Sequence, residues 1–203
     1  MRVTLIRHGE TDYNKIRRIQ GQLDVPLNEN GRKQARDVAT KLEADFGKVY
    51  SSDLARASET AAIITEKNIP LVLNKGLRER YMGEIQDQLF HKAKTHAAQM
   101  GKTIMDYGED ERQFKSRLLN AWDEVISDAE ASEVDSILIV SHGGALINLL
   151  EALVATKRID VGRKGHLLGS PCRNCSVTVI EDGVLVRYAE RLVESMVSNR
   201  ELL

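Results

Sequence analysis

The chain has 203 residues, 42% of them hydrophobic and 29% charged, enough for one domain to bury a core without disulfide staples. Its 29 Lys and Arg balance 30 Asp and Glu. It therefore lacks the bulk charge that holds nucleic acid or an anionic membrane, and any anion site must be built locally. No apolar run is long enough to span a bilayer, and Met1-Arg2 leads into an apolar stretch without a signal-peptide segment, so a cytoplasmic chain is expected.

Residues 3–6 read as a short buried parallel strand that ends in Arg7-His8-Gly9-Glu10. The carboxyl end of such a strand is where α/β sheets bind ligands, and Gly9 lets the backbone turn sharply or come close to one. An anion site with histidine chemistry is expected there, the alternative being a strand merely capped by Arg7 and His8 in solvent. Residues 15–26 are polar and broken by Gly21 and Pro26, which predicts a loop over the site. Asn28 then caps a helix with Ala35, Val38, Ala39 and Leu42 on one face, and Gly47 ends that region.

Residues 48–52 form a second strand, with Ser52 placed to cap a helix whose first turn carries Asp53. Leu54, Ala57, Ala61 and Ile64 mark its buried stripe. Arg56 lies off the stripe; taken alone it reads as a solvated arginine, but it can face back toward the strand ends. Residues 71–73 make a third strand, followed by Leu77-Arg78-Glu79-Arg80. Residues 81–112 are polar, contain Gly83, Gly101 and Gly108, and look like an inserted cap that roofs the site. His91, Lys92, Lys94, His96 and Lys102 within it read as a solvated helical face rather than substrate contacts.

Helical spacing returns at Phe114, Leu118, Trp122, Val125 and Ala129, and residues 136–140 form the most apolar strand. That strand also ends in a histidine, Ser141-His142-Gly143-Gly144, and opens a helix, whose N-terminal N–H groups favour phosphate. Residues 176–180 and 184–188 flank Asp182-Gly183 as a hairpin, an antiparallel margin to the sheet. Residues 189–203 read as a terminal helix or tail. Cys172 and Cys175 have the spacing of a redox motif or half a zinc site. They precede a strand rather than open a helix and have no second pair, so the spacing is read as fortuitous. The five histidines show no metal-ligand spacing.

Arg7-His8, Arg56, Glu79 and His142-Gly143 would together supply a nucleophile, three phosphate-binding cations and a carboxyl group. Arg7-His8-Gly9-Glu10-Thr11 with Asn14, Ser51-Ser52-Asp53-Leu54-Ala55-Arg56-Ala57, Leu77-Arg78-Glu79-Arg80 and Val140-Ser141-His142-Gly143-Gly144, in that order, resemble the histidine phosphatase superfamily, the phosphoglycerate-mutase-like enzymes. The element order and the resemblance predict one domain over residues 1–203. Its expected fold is α/β, a three-layer α/β/α sandwich with a mostly parallel sheet, an antiparallel edge and the cap at 81–112.

The resemblance implies that His8 attacks phosphorus and becomes phosphohistidine, while Arg7, Arg56 and His142 hold the nonbridging oxygens, His142 being protonated by the phosphate's own charge. Asn14, Gln20, Gly21 and the Gly143 N–H would complete the pocket. Glu79 would protonate the leaving alkoxide and activate water, a role that burial of its carboxyl would favour, and Glu10 would brace the turn. No metal and no cofactor is implied. Gly83 and Gln86 fit the family pattern, but Asp87 stands where a second glycine is expected. The paired arginines and longer C-terminal tail of the cofactor-dependent mutases are not found, which favours hydrolysis. The expected activity is that of a phosphomonoesterase on sugar phosphates or other small phosphorylated metabolites, like the fructose-bisphosphatase-like and broad-specificity small phosphatases. A homodimer is compatible with it. The alternatives are a phosphoglycerate mutase and a catalytically silent phosphate-binding module, which would be expected to have lost His8 or Glu79.

Overall fold

The computed structural model describes residues 1–42, 45–66 and 69–192. Strands β1 (Arg2–Arg7), β2 (Lys48–Ser51), β3 (Leu71–Leu73), β4 (Ser136–Ser141), β5 (Val177–Glu181) and β6 (Val184–Glu190) form one sheet in the order β3-β2-β4-β1-β5-β6. The pairs from β3 to β1 are parallel, and β5 and β6 add the antiparallel margin. The helices are α1 (Asp12–Lys15), α2 (Glu29–Ala39), α3 (Ala55–Ile64), α4 (Phe90–Gln99), α5 (Glu111–Ala131) and α6 (Gly143–Ala155).

Alternation along the central strands divides the core between two faces. Val3, Leu5, Ile137 and Ile139 pack with Phe114, Leu118 and Trp122 of α5 and Leu146, Leu150 and Leu153 of α6. Ile6, Leu138 and Val140 pack on the other face with Ala35 and Val38 of α2 and Ala57, Ala61 and Ile64 of α3. Helices thus cover both faces of a mostly parallel sheet, the three-layer arrangement the sequence predicts. The 81–112 segment packs its Ile85, Ala93, Ala97 and Tyr107 with Ile19 of the 15–26 loop in a small separate core. Its basic residues His91, Lys92, Lys94, His96 and Lys102 are exposed. No helix among the described residues is long and apolar enough to cross a membrane.

Three local expectations are corrected. The helix after β2 starts at Ala55 with Leu54 as N-cap, so Asp53 is not in its first turn; instead both its carboxylate oxygens pair with Arg78 at 2.6 Å. Ser52 Oγ still accepts the Leu54 N–H, at 3.3 Å. Residue 15, placed in the 15–26 loop by the sequence, instead closes the short α1, which is capped by Thr11 in a reciprocal pair with Asn14. Finally, β6 continues through Ala189 to Glu190 where a terminal helix was expected, and residues 193–203 lie outside the described part.

Candidate active site

The site follows from sheet register. β1 and β4 are parallel neighbours with Arg7 opposite Ser141, so the next residues, His8 and His142, emerge side by side. His8 N–H continues the ladder to Ser141 O at 2.9 Å, and the imidazole centroids lie 5.2 Å apart. The chain leaves β1 for a helix on one face and β4 for a helix on the other, which opens a crevice between the two strand ends. Gly9 permits close packing of this turn on α2, since a Cβ there would come 2.5 Å from Gly31 O. Glu10 braces the same turn, with Oε1 accepting Asn28 Nδ2 at 3.0 Å.

His8 is buried, and its Nδ1 lies 2.7 Å from Gly9 O. A carbonyl can only accept, so Nδ1 carries the proton and Nε2 keeps its lone pair. Burial, then the Arg56 and Arg7 cations, hold the His8 pKa well below its usual value. His142 is fully buried, with Nε2 2.9 Å from Ser52 Oγ and with Nδ1 unpartnered among the described residues. Burial, Arg56 and His8 push its pKa well below the usual value too. Both imidazoles are therefore held in their neutral form.

Arg56 is 1% exposed, against its reading as a solvated arginine. The first turn of α3 aims it back at the strand ends, where its two Nη atoms donate to Leu23 O at 2.7 Å and Gly21 O at 2.8 Å. Burial pulls its pKa down to about 10, opposed by Glu79 and Asp24. Arg7 donates to Cys172 O at 2.7 Å, and burial lowers its pKa while Glu79 opposes. Arg7 Nε and Arg56 Nε are buried and unpartnered among the described residues. Buried donors of this kind are costly unless something accepts from them, and an oxyanion would. Glu79 is half-buried, with Oε1 accepting Arg80 N–H and Oε2 accepting Gly144 N–H, both at 2.9 Å. Its alternative as a partner of the Arg78 or Arg80 side chain does not occur: Arg78 pairs with Asp53, and Arg80 donates to the carbonyls of Glu109 and Met105.

The loop residues take specific places. Asn14 Oδ1 accepts from Thr11 N and Thr11 Oγ1 at 3.1 Å, which leaves its NH₂ end for other partners. Gln20 is buried against Thr11 Oγ1. Gly21 has φ +53°, and a Cβ on it would strike Gln86 Oε1. Asp87 adopts φ +66°, the left-handed conformation a glycine would take there, and binds Tyr13 Oη at 2.6 Å and Arg18 Nη1 at 2.8 Å. Asp tolerates that conformation better than most residues, so the turn survives without its glycine. A Cβ on Gly143 would sit 3.3 Å from Arg7 Nε, so the α6 N-terminus lies against that guanidinium.

Sequence reasoning missed two residues. Asn174 donates to His8 O at 2.9 Å from 166 residues away, a separation that no local pattern reveals. Arg117 on α5 makes a bidentate pair with Glu109 and donates to the carbonyls of Gly76, Arg78 and Glu79, which pins the backbone that presents the carboxylate. Its one signal is its place beside the buried Phe114 and Leu118 stripe. Cys172 and Cys175 are buried free thiols, and burial raises both pKa values, that of Cys175 to about 12. Among the described residues no group of three or more His, Cys, Asp or Glu is placed to hold a metal ion.

Residues 3–187 match the family model described as "Histidine phosphatase superfamily (branch 1)". A broad-specificity phosphatase of Saccharomyces cerevisiae is 34% identical over 161 residues, covering 75% of this chain and 70% of that protein. A probable phosphoglycerate mutase of Serratia proteamaculans is 34% identical over 191 residues, covering 89% and 85%. The crystal structure of a phosphoglycerate mutase from Bacillus anthracis superposes with a TM-score of 0.76 at 25% identity, over 93% of this chain and 91% of that one.

Proposed function

The chain belongs to the histidine phosphatase superfamily, branch 1, and on that basis we propose that it is a metal-independent phosphomonoesterase acting through phosphohistidine on His8. The observation that carries this reading is the buried His8 imidazole, with Nδ1 held by Gly9 O and Nε2 left with its lone pair, and with the Arg56 and Arg7 cations near enough to lower its pKa. Nε2 attacks phosphorus, the P–O bond to the leaving group breaks, and Glu79 delivers a proton to the departing alkoxide. Glu79 then takes a proton from water, whose oxygen displaces His8 and releases phosphate. Arg7 and Arg56 hold the nonbridging oxygens with the planar donor fork that suits phosphate. Each such charge-assisted bond contributes about 1.5–3 kcal/mol, and the bonds that tighten as charge builds on the oxygens speed the reaction. His142, neutral when the site is empty, gains its proton when a dianion arrives beside it.

The substrates in this reading are sugar phosphates or similar small phosphorylated metabolites, and the enzyme works in the cytoplasm. The likeness to the broad-specificity phosphatase supports hydrolysis. Likeness to proteins named phosphoglycerate mutases favours a second reading, transfer between hydroxyls of one phosphoacid. Phosphate release from p-nitrophenyl phosphate and a panel of sugar phosphates in excess chelator separates the two. Hydrolysis requires release by wild type, its loss in His8→Ala, and an acid-labile phosphoenzyme. Interconversion of phosphoglycerates that depends on a bisphosphorylated primer, without net release, would establish the mutase instead.

A further inference from the structure

The Cys172-Arg173-Asn174-Cys175 stretch has neither a metal nor a redox part in this reading, yet it touches the site repeatedly. Cys172 O accepts Arg7 Nη1 at 2.7 Å, Cys175 N–H donates to Arg7 O at 3.0 Å, and Ser176 O accepts Arg7 N–H at 3.3 Å. Cys175 holds φ +54°, a left-handed turn that brings the chain back onto β1. Between these contacts Asn174 Nδ2 donates to His8 O at 2.9 Å and to Asn14 Oδ1 at 3.3 Å.

We propose that Asn174 is a positioning residue for phosphotransfer, acting as a double hydrogen-bond donor that fixes the His8 peptide and the Asn14 amide at once. The inference rests on His8 being the phosphoryl acceptor. With the His8 N–H bound to Ser141 O and its C=O bound by Asn174, the main chain of the residue is held on both sides. The next carbonyl, Gly9 O, is the one that holds the His8 proton on Nδ1, so fixing the His8–Gly9 peptide orients the ring and its free Nε2. At Asn14, Asn174 joins Thr11 N and Thr11 Oγ1 in donating to Oδ1, which sets the amide so that its NH₂ end is left for a bound anion. Both partners of Asn174 are acceptor oxygens. The side chain must therefore donate, and an isosteric acceptor in its place would repel both.

That requirement distinguishes positioning from mere filling of space. Asn174→Asp keeps the shape and removes the donors, whereas Asn174→Ala removes both. Hydrolysis of p-nitrophenyl phosphate is followed by wild type and both variants from pH 4.5 to 8, with thermal unfolding to confirm that each is folded. Asn174→Ala is expected to lower kcat about tenfold with little change in KM, and Asn174→Asp to lower it about a hundredfold at pH 7. Relative to wild type at each pH, Asn174→Asp regains rate as its carboxyl protonates and again offers an O–H donor. Asn174→Asp equal to or faster than Asn174→Ala throughout, with no recovery in acid, would overturn the proposal. If folded wild type releases no phosphate from any substrate, the phosphatase reading fails separately. Calorimetric titration with inorganic phosphate then decides the positioning role: the same order of weakening and the same recovery in acid support it, and Asn174→Asp binding as tightly as wild type refutes it.

Discussion

Glu79 Oε2 accepts the Gly144 N–H at 2.9 Å, and Glu79 Oε1 lies 2.6 Å from where a Cβ on Gly144 would stand. The carboxyl group thus meets the N-terminal turn of α6, whose N–H groups have no partner in the helix's own ladder, and it can do so only because residue 144 has no side chain. Alanine suits a helix better than glycine, and the atom it would meet is the end of a flexible side chain. Gly144→Ala is therefore expected to leave thermal stability near wild type while displacing Glu79. A displacement of about 1 Å in a proton donor lowers kcat by about a hundredfold. Steady-state kinetics beside a melting curve checks this, and wild-type kcat in the variant would mean that Glu79 is not held for proton transfer by this contact.

Asp87 offers a test of backbone against side chain. Its left-handed φ favours glycine, while its carboxylate ties the loop before α2 to the cap through Tyr13 and Arg18. The ion pair is exposed and screened, so the backbone preference should dominate stability. Asp87→Gly is expected to melt at or above the wild-type temperature, and Asp87→Ala, which keeps the strain and loses the contacts, lower by about 2–4 °C. An alanine variant more stable than the glycine variant would show that the turn is not strained. If the 81–112 segment roofs the site as the sequence predicts, both variants should alter the ranking among sugar phosphates more than the rate on p-nitrophenyl phosphate, because the clasp ties residue 87 to Tyr13 and Arg18.

What could be read from the chain and what could not divides by range of interaction. The ends of β1 and β4 carry their chemistry in consecutive residues, and their apolar runs identify them as buried strands. That the two strands are neighbours, which brings His8 to His142, is a matter of register between residues more than 130 apart. Asp53 reads locally as a helix-first-turn charge, but a bidentate pair with Arg78 outweighs that preference and the helix starts later. Arg56 reads locally as surface, and only the loop carbonyls of Gly21 and Leu23 explain how a buried guanidinium is satisfied. Asn174 sits in a cysteine motif that draws attention to its thiols, whereas the amide between them makes the contacts.

Those thiols should be unreactive. A pKa near 12 for Cys175 leaves about a thousandfold less thiolate at neutral pH than an ordinary cysteine has, and the Cys172 thiol is also pushed up by burial. Labelling of native protein with an aromatic disulfide reagent is therefore expected to be slower by at least about a hundredfold than labelling in denaturant, and activity should survive mild oxidants. Rapid modification of two thiols in the native protein, with loss of activity, would restore a redox role.

The two neutral imidazoles make stability depend on pH in a countable way. In the unfolded chain His8 and His142 titrate near the ordinary value of about 6.5, while in the native site burial and the arginines hold both well below it. Between those limits the unfolded state binds two protons that the native state does not, so native stability falls as the pH drops below about 6.5 and is insensitive to these groups above it. Each histidine contributes a slope of about 1.4 kcal/mol per pH unit in that window. Urea unfolding of His142→Asn between pH 7 and 5 should show about half the acid loss attributed to the pair, because one of the two protons has been removed. Inorganic phosphate should blunt the wild-type loss, since a bound anion stabilises the protonated His142 and raises its native pKa toward the unfolded value. An acid slope unchanged by the His142 substitution would mean that other groups control it and that His142 is already charged in the empty site.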